Sequence, residues 1–577
     1  MISDLSSVPV ETEPFGDRLL EAFWSHAVKN PEKKAMISGE RPEFSITWKE
    51  MYLNTLSISV FLEKAGFGHG DIAALVLPNC WEFLQLISGE FRGFGTPWEF
   101  RRWSPSDSCC WEWGKYSNLD SRSVLDTKVS DELERQFLDS KSKIIFCADS
   151  SLDRVLKAVK NCPKIRTIVV VPVHDRSVPP EDLDLPFGVL HYSEITKIPP
   201  NLNQRKVDID VNRDILILPY SSGTTGSPKG VMLSHKGFST MISIFVNHYR
   251  KYVYPVVGPD WVVEEEKMLL SLPFYHIYGI GILMSTVLNG QTGILMTHFD
   301  KDVYCRCIQN YKIKLLNLVP PTMVVLANDP VVKKYDLSSL RILMTGAAPA
   351  GTDIIQKVFK AIPNIERIDQ GYGMTECSMA CSLPYPLEDP GNNNVGKLLS
   401  NYEMKVINEK GETLPLGEVG QLCLRGPTFM MGYLGKPQAT AEAIDDQGWY
   451  HTGDIAKIDS NRFIYVLDRL KELIKVKGYQ VPPAELEDLL LSHPDIADAA
   501  VVGVLDDRSG EVPKAFVVRK TSYLTEDQVK EFIASRTAPY KHLKGGVEFI
   551  DEIPKSAAGK ILRRFLRDKA RNLKSKL

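Results

Sequence analysis

The sequence predicts an α/β fold with doubly wound parallel sheet, followed by a small β unit and a compact α+β domain. Three observations predict it. Apolar runs at 72–79, 143–147, 167–171 and 214–220 alternate with helical spacing at 17–30, 81–91 and 152–161. Between 395 and 460 the strands shorten and are punctuated by glycine, a rhythm that predicts a small barrel. Beyond the charged run 465–480, helices at 483–492 and 525–535 alternate with strands at 499–504, 514–518 and 546–550, enough for a separate small domain.

The bulk numbers narrow the class. At 577 residues the chain holds two or more domains with ample core. It is 44% hydrophobic and 24% charged, ordinary for a soluble globular protein, and its net charge of −3 gives no field for a polyanion, so nucleic acid is not an expected partner. The ten cysteines include no Cys-x-x-Cys pair and read as reduced buried thiols. Met1-Ile-Ser-Asp-Leu-Ser lacks both a basic stretch and an apolar run, so no secretory signal is expected. Residues 268–288 carry no charged side chain apart from His276, but Pro273, Gly279 and Gly281 interrupt them, so a buried strand-loop-helix is expected and no transmembrane segment.

One stretch departs from the α/β rhythm. Residues 96–129 hold four of the nine tryptophans and show neither strand nor helix period. A helix is expected to resume near Asp131, with no strand before it. The segment reads as an insertion or a mis-spliced translation replacing a core strand; the rival is a genuine loop whose aromatic side chains bind a ligand.

The chain is organised around Tyr220-Ser-Ser-Gly-Thr-Thr-Gly-Ser-Pro-Lys-Gly230, set between an apolar run and Val231-Met-Leu233, after which Ser234 is placed to cap a helix reaching about Tyr249. Glycines let backbone N–H groups turn towards an anion, hydroxyls add donors, and Lys229 adds a full charge, which suits a polyphosphate. A Ser/Gly linker has this composition too, but a linker rarely sits between two apolar strands. A Walker P-loop is excluded, because Pro228 precedes Lys229 and Gly230 follows it.

Other stretches carry complementary chemistry. Asp369-Gln-Gly-Tyr-Gly-Met-Thr-Glu376 sets a flat ring between glycines, suited to stacking on a purine, ahead of a hydroxyl and a carboxylate suited to phosphate and Mg²⁺. Asp454, in Trp449-Tyr-His-Thr-Gly-Asp454, is either a ribose-binding carboxylate or an Asx-turn residue. Gly346 and Ala347 end an apolar strand and permit close approach of a ligand. In Ile553-Pro-Lys-Ser-Ala-Ala-Gly-Lys560, small residues keep a loop thin, with Lys560 at its tip.

In this order the motifs resemble those of the adenylate-forming superfamily, which includes acyl-CoA synthetases, hydroxycinnamate (4-coumarate) CoA ligases, beetle luciferases and peptide-synthetase adenylation domains. The resemblance covers the chain outside 96–129. It implies a large domain over 1–467, built of two doubly wound α/β subdomains and a small β-barrel, and a mobile C-terminal cap over 468–577. It implies ATP phosphates on Ser221, Ser222, Gly223, Thr224, Thr225, Gly226 and Lys229, further cofactor binding at Gln370 and Gly371, the adenine stacked on Tyr372, the α-phosphate at Thr375, and Mg²⁺ on Glu376 and Thr224. Asp454 and Arg469 match ribose-binding positions, and His276 matches one near the substrate carboxylate. Tyr278, Ile282, Gly346 and Ala347 match the wall of the acid pocket. Lys471 matches the pivot. Lys475 and Gln480 match residues that face the site in a second cap orientation, and Lys477 and Gly478 border the coenzyme A path. Lys560 matches the adenylation lysine. One departure is His298, which precedes Phe299-Asp300 where related ligases have a lysine on the coenzyme A path.

The resemblance implies an ATP-dependent acid–thiol ligase that converts a fatty or aryl-propanoid acid to an acyl-adenylate and then to a coenzyme A thioester, with Lys560, Lys475, Glu376 and His276 as catalytic residues. A catalytically impaired binding homologue and a luciferase-like oxygenase are the rivals. A monomer or homodimer is expected. The closing Ser575-Lys576-Leu577 is the tripeptide read by the peroxisomal import receptor, so a peroxisomal location is expected.

Overall fold

A computed structural model describes residues 1–91, 98–100, 120–173, 185–202, 207–221, 228–388, 394–477, 479–506, 508–556 and 559–574. The largest sheet has eight strands, in the order Gly432–Tyr433, Lys229–Ser234, Ile215–Ser221, Trp98–Phe100, Ala73–Val76, Ile144–Ala148, Thr167–Val171 and Val189–His191. From Ile215–Ser221 to Val189–His191 all neighbours run parallel. The expected apolar runs are therefore strands, and their unbroken hydrophobicity reflects burial on both faces.

The stretch 96–129 requires a correction. Trp98–Phe100 is a strand, and it lies in the middle of the sheet, with Ala73 opposite Trp98 on one side and Ile217 opposite Trp98 on the other. Three residues are too few to display a period, so pattern reading passes over them, although Trp and Phe favour strands. The following helix, Asp120–Ser140, begins eleven residues before Asp131. Residues 101–119, on which the choice between insertion, mis-spliced segment and ligand-binding loop turns, lie outside the described residues.

A second group of parallel strands joins Lys267–Leu270, Thr292–Leu295 and Lys34–Ser38, with Ser45–Thr47 antiparallel at the edge. A third joins Leu315–Leu318, Ile342–Thr345 and Arg367–Gln370. Helices begin where the sequence supplies caps. Ser234 Oγ accepts from Gly237 N at 3.1 Å to open His235–His248, and Asp300 Oδ1 accepts from Val303 N at 2.8 Å to open Lys301–Tyr311. The apolar segment 268–288 is strand, turn and the helix Ile277–Leu288; among the described residues no helix is long and apolar enough to cross a membrane.

The glycine-punctuated strands form an antiparallel sheet in the order Glu403–Ile407, Gly420–Arg425, Tyr450–Ile458 and Ile464–Arg469, and the bridge between Phe463 and Lys397 carries it on to the pair Lys397–Leu398 and Ser382–Leu383. One face joins the large core through Met404, Val406, Leu422, Leu424, Ala456 and Ile464.

Residues from Ile474 onward build cores of their own. Ile474, Val476, Leu486, Leu490, Val501, Val517, Val529 and Ile533 form one, and Ala500, Val502, Phe516, Ile553, Leu566 and Ala570 form another on the opposite sheet face. The sheet's long pair, Ile496–Asp506 with Gly510–Arg519, is antiparallel, and Val547–Phe549 joins it in parallel. The eight described cysteines are free and buried, and no cluster of three or more metal-ligating side chains occurs among the described residues.

Candidate active site

The site is built where several strands end. Arg367–Gln370 runs into the turn bearing Tyr372, and the backbone there is held on both sides. Gly371 N donates to Thr345 O at 2.9 Å, and Tyr372 N donates to Ser382 O at 3.1 Å. Gly373 is so tightly packed that a Cβ would stand 1.9 Å from Met379 O, so no other residue fits. This backbone carries Tyr372 to the strand Tyr450–Ile458, where its hydroxyl donates a hydrogen bond to Asp454 Oδ2.

Asp454 is buried, and its Oδ1 holds Arg469 Nε at 3.2 Å. The two residues are cross-strand partners, so the pair is fixed by register. Burial pushes the Asp454 carboxyl above its ordinary value, against the pull of Arg469, Tyr372 and Lys560. Burial and Asp454 push the Tyr372 hydroxyl well up. Arg469 is raised, because Asp454, Glu472, Tyr372 and Glu376 together outweigh its burial.

Lys560 reaches this group from the C-terminal domain. Its loop is closed by Ser556, which accepts from Lys560 N at 3.1 Å through Oγ and donates to Lys560 O at 2.8 Å through its backbone N–H. Gly559, at φ +78°, lets the loop turn. The Lys560 ammonium is lowered to about 8 by burial first and by Arg469 second, with Glu472 and Asp454 opposing. A desolvated cation beside a guanidinium is poised to receive an anion.

Glu376 forms a second centre. Its Oε1 accepts from Ser221 Oγ at 3.3 Å and from Tyr433 OH at 3.0 Å, and Lys229 Nζ sits 4.7 Å from the Tyr433 ring centroid. Both hydrogen bonds fall on Oε1, leaving Oε2 without one among the described residues. One free carboxylate oxygen beside a phosphate loop fits Mg²⁺, which takes one or two carboxylates and completes its octahedron with water and substrate phosphates. Ser222, Gly223, Thr224, Thr225 and Gly226 lie outside the described residues.

The expected acid-pocket residues are firmly held. His276 caps the helix Ile277–Leu288, its Nδ1 accepting from Tyr278 N at 3.2 Å, which leaves the proton of the neutral ring on Nε2. Tyr278 OH donates to Met344 O at 3.1 Å and reaches Asn317 Oδ1 at 3.5 Å. A Cβ on Gly346 would lie 3.6 Å from both Tyr278 Cε1 and Gly371 O, and Ala347 takes the left-handed φ of +67°. Ile282 is buried in the large core, four residues beyond Tyr278 on the same helix. Gln370 is anchored by its amide: Oε1 accepts from Ala350 N at 2.9 Å and Nε2 donates to Ala350 O at 3.3 Å. Thr375 opens the short helix Thr375–Cys377, half-buried beside Glu376.

Lys471, Lys475, Lys477 and Gln480 are not gathered into this group. All four are exposed. Lys475 N donates to Glu511 Oε2 at 3.0 Å, and Gln480 Nε2 donates to Glu409 Oε1 at 3.1 Å. Gly478 lies outside the described residues. Sequence reasoning passed over Tyr433, Asp468, Glu472 and Arg563. Tyr433 sits in a Met-Gly-Tyr run whose glycine takes φ +146°, a signal of close packing; the other three lie in charge-rich runs that look solvated.

Comparison with known proteins decides the family. The profile of the AMP-binding enzyme matches residues 124–434, and that of the AMP-binding enzyme C-terminal domain matches 485–560. The chain belongs to the AMP-binding enzyme family. Among its relatives, 4-coumarate:CoA ligase 1 of Petunia hybrida is 43% identical over 529 residues, covering 90% of this chain and 88% of the relative. The 4-coumarate–CoA ligase 1 of Arabidopsis thaliana is 36% identical over 538 residues, covering 91% and 88%. ATP-bound MatB from Rhodopseudomonas palustris shares the fold, with a TM-score of 0.79 at 23% identity over 96% of this chain and 99% of that one. The family matches span both the Tyr372–Glu376 turn and the Lys560 loop, the two pieces that the fold brings to Asp454 and Arg469.

Proposed function

We propose that this AMP-forming acid–CoA ligase activates a hydroxylated aryl-propanoid acid of the kind named for its 4-coumarate–CoA ligase relatives. The observation that carries the choice of acid lies beside Tyr278. Asn317 Nδ2 is buried with no hydrogen-bond partner among the described residues, and the same side chain's Oδ1 stands 3.5 Å from the Tyr278 hydroxyl. Buried polar groups without partners favour a substrate that brings its own hydroxyl. A fatty acid is the second reading. It is favoured by Ser575-Lys576-Leu577, through which we propose that the peroxisomal import receptor takes up the protein. A fluorescent fusion lacking these residues that still enters peroxisomes would overturn that proposal.

In the first half-reaction a carboxylate oxygen of the acid attacks the α-phosphorus of ATP, and the bond to pyrophosphate breaks. Two anions meet, so cations must offset the repulsion. Lys560 supplies a charge at the point of attack, and Lys229 supplies one at the departing pyrophosphate. Glu376 and Thr224 would hold Mg²⁺, which when bound would draw negative charge from the phosphate oxygens. Asp454 accepts the ribose hydroxyls, Arg469 holds that carboxyl in place through Oδ1, and His276 orients the acid. In the second half-reaction the cap beyond Lys471 turns about that residue and carries Lys560 away. Lys475 and Gln480 then face the site, Lys477 and Gly478 border the thiol path, and the coenzyme A sulfur displaces AMP.

The test is pyrophosphate release from MgATP over 4-coumarate, cinnamate, hexanoate and palmitate. The aryl reading requires 4-coumarate to lead, and release led by palmitate favours the second reading. Lys560→Ala should abolish release but spare thioester formation from a supplied acyl-adenylate; equal loss of both refutes the division of labour.

A further inference from the structure

The C-terminal domain's first helix, Pro483–Leu491, has no cap from its own segment. Its N-cap is Pro482, which makes no side-chain cap bond. The cap comes from elsewhere. Asp468 Oδ2 accepts a hydrogen bond from Ala484 N at 3.1 Å. Asp468 belongs to the strand Ile464–Arg469, paired with Ile455 in the sheet that packs on the large core. Its side chain therefore reaches across the Lys471 pivot, from one body to the helix end of the other. The carboxylate is buried, and its second oxygen accepts from Arg469 N at 2.6 Å.

A second contact joins the same two bodies. The helix Thr352–Ala361, whose Ile355 and Val358 pack with Leu343 and Ile368, follows Gly351, which also provides no side-chain cap. A Cβ there would meet Asp488 Oδ1, from the helix Pro483–Leu491, at 2.4 Å. Asp468 thus caps the N-terminus of the Pro483–Leu491 helix, where the dipole favours negative charge, and Asp488 of that helix packs on Gly351 of the other body. These contacts belong to the arrangement that also places Lys560 beside Asp454 and Arg469.

We propose that Asp468 is a positioning residue for adenylate formation: by capping the Pro483–Leu491 helix across the pivot, it selects the cap orientation that inserts Lys560, with Gly351 and Asp488 as the matching seat. The proposal rests on the two-orientation reading above. Rotation of the cap withdraws Ala484 from Asp468, so the bond counts in one half-reaction and not in the other. Differential contact of this kind is what shifts a two-state equilibrium.

The test measures both half-reactions on full-length protein, using the acid of the panel that releases most pyrophosphate and its chemically made adenylate. Asp468→Ala should slow adenylation roughly threefold to thirtyfold, the range for a lost helix cap, and leave thioester formation from supplied adenylate unchanged or faster. Asp468→Asn, which keeps an acceptor for Ala484 N, should recover most of the loss. Gly351→Val touches no reacting group and should show the same one-sided loss. In ligand-free protein, amide exchange over Pro483–Leu491 should quicken in Asp468→Ala. Equal loss of both half-reactions, no rescue by Asn, or unchanged exchange overturns the proposal. If Lys560→Ala itself hits both halves equally, the two-orientation reading has failed instead.

Discussion

Gly559 rests on Pro321: a Cβ built on the glycine would stand 2.6 Å from the proline Cδ. Pro321 lies in the first turn of the helix Pro320–Asn328, so this contact is where the Lys560 loop seats against the other body. Gly559→Ala faces two costs. The left-handed φ of +78° disfavours any Cβ by about 1–2 kcal/mol, and the added methyl strikes the proline ring only when the loop is docked. Adenylate formation should fall about tenfold or more, while thioester formation from supplied adenylate stays within about twofold. Stopped-flow measurement of the two half-reactions decides it; intact adenylation would show that the seat is not used.

The lowered ammonium of Lys560 predicts a pH limit. Its ordinary value is 10.5, and burial with Arg469 brings it to about 8. Below that pH the side chain is charged and can offset the meeting anions; above it the cation is lost. The kcat/KM for pyrophosphate release, which reports the free enzyme, should fall as pH rises through 8, by about tenfold per unit at the limit. Lys560→Arg, whose guanidinium keeps its charge, should show no such limb up to pH 10, whatever its absolute rate. A limb at the same pH in the arginine variant would assign the titration to another group.

Much of this site was legible because its residues sit in stretches with few other uses. Gly373 has no room for a side chain, Tyr372 is held between it and Gly371, and Asp454 follows a glycine turn at φ +70°. Local constraint of that kind survives in the sequence. The strand Trp98–Phe100 was not legible, because three residues carry no period and their place in mid-sheet depends on partners far along the chain. Arg563 and Glu472 were missed for a different reason. Charge runs usually face water, and only the packing of the C-terminal helix against the pivot buries them. Lys475 and Gln480 are exposed and bonded to Glu511 and Glu409 rather than gathered with Asp454 and Arg469, because a motif in the sequence does not carry the packing that decides which way it faces.

Glu487 sets a pH dependence on stability. Arg563 lies between Glu472 and Glu487, bonded to Glu487 Oε2 at 2.6 Å, and Asp468 adds a third carboxylate to its field. One guanidinium cannot neutralise three buried carboxylates, so Arg563 is raised while burial still pushes Glu487 from its ordinary 4.5 to about 7. The sign follows from which state holds the proton. Below pH 4.5 both folded and unfolded chains carry it. Between there and 7 the unfolded chain releases it while the folded chain retains it, so the stabilisation fades as pH rises and is gone above about 7. Glu487→Gln is fixed in the neutral form and keeps an acceptor for Val501 N, which Glu487 now meets at 2.7 Å. Denaturant unfolding of the C-terminal domain, followed between pH 5 and 8, should show wild type losing roughly 1–3 kcal/mol more than the variant. Parallel curves would mean that Glu487 is ionised throughout and that Arg563 alone meets its burial cost.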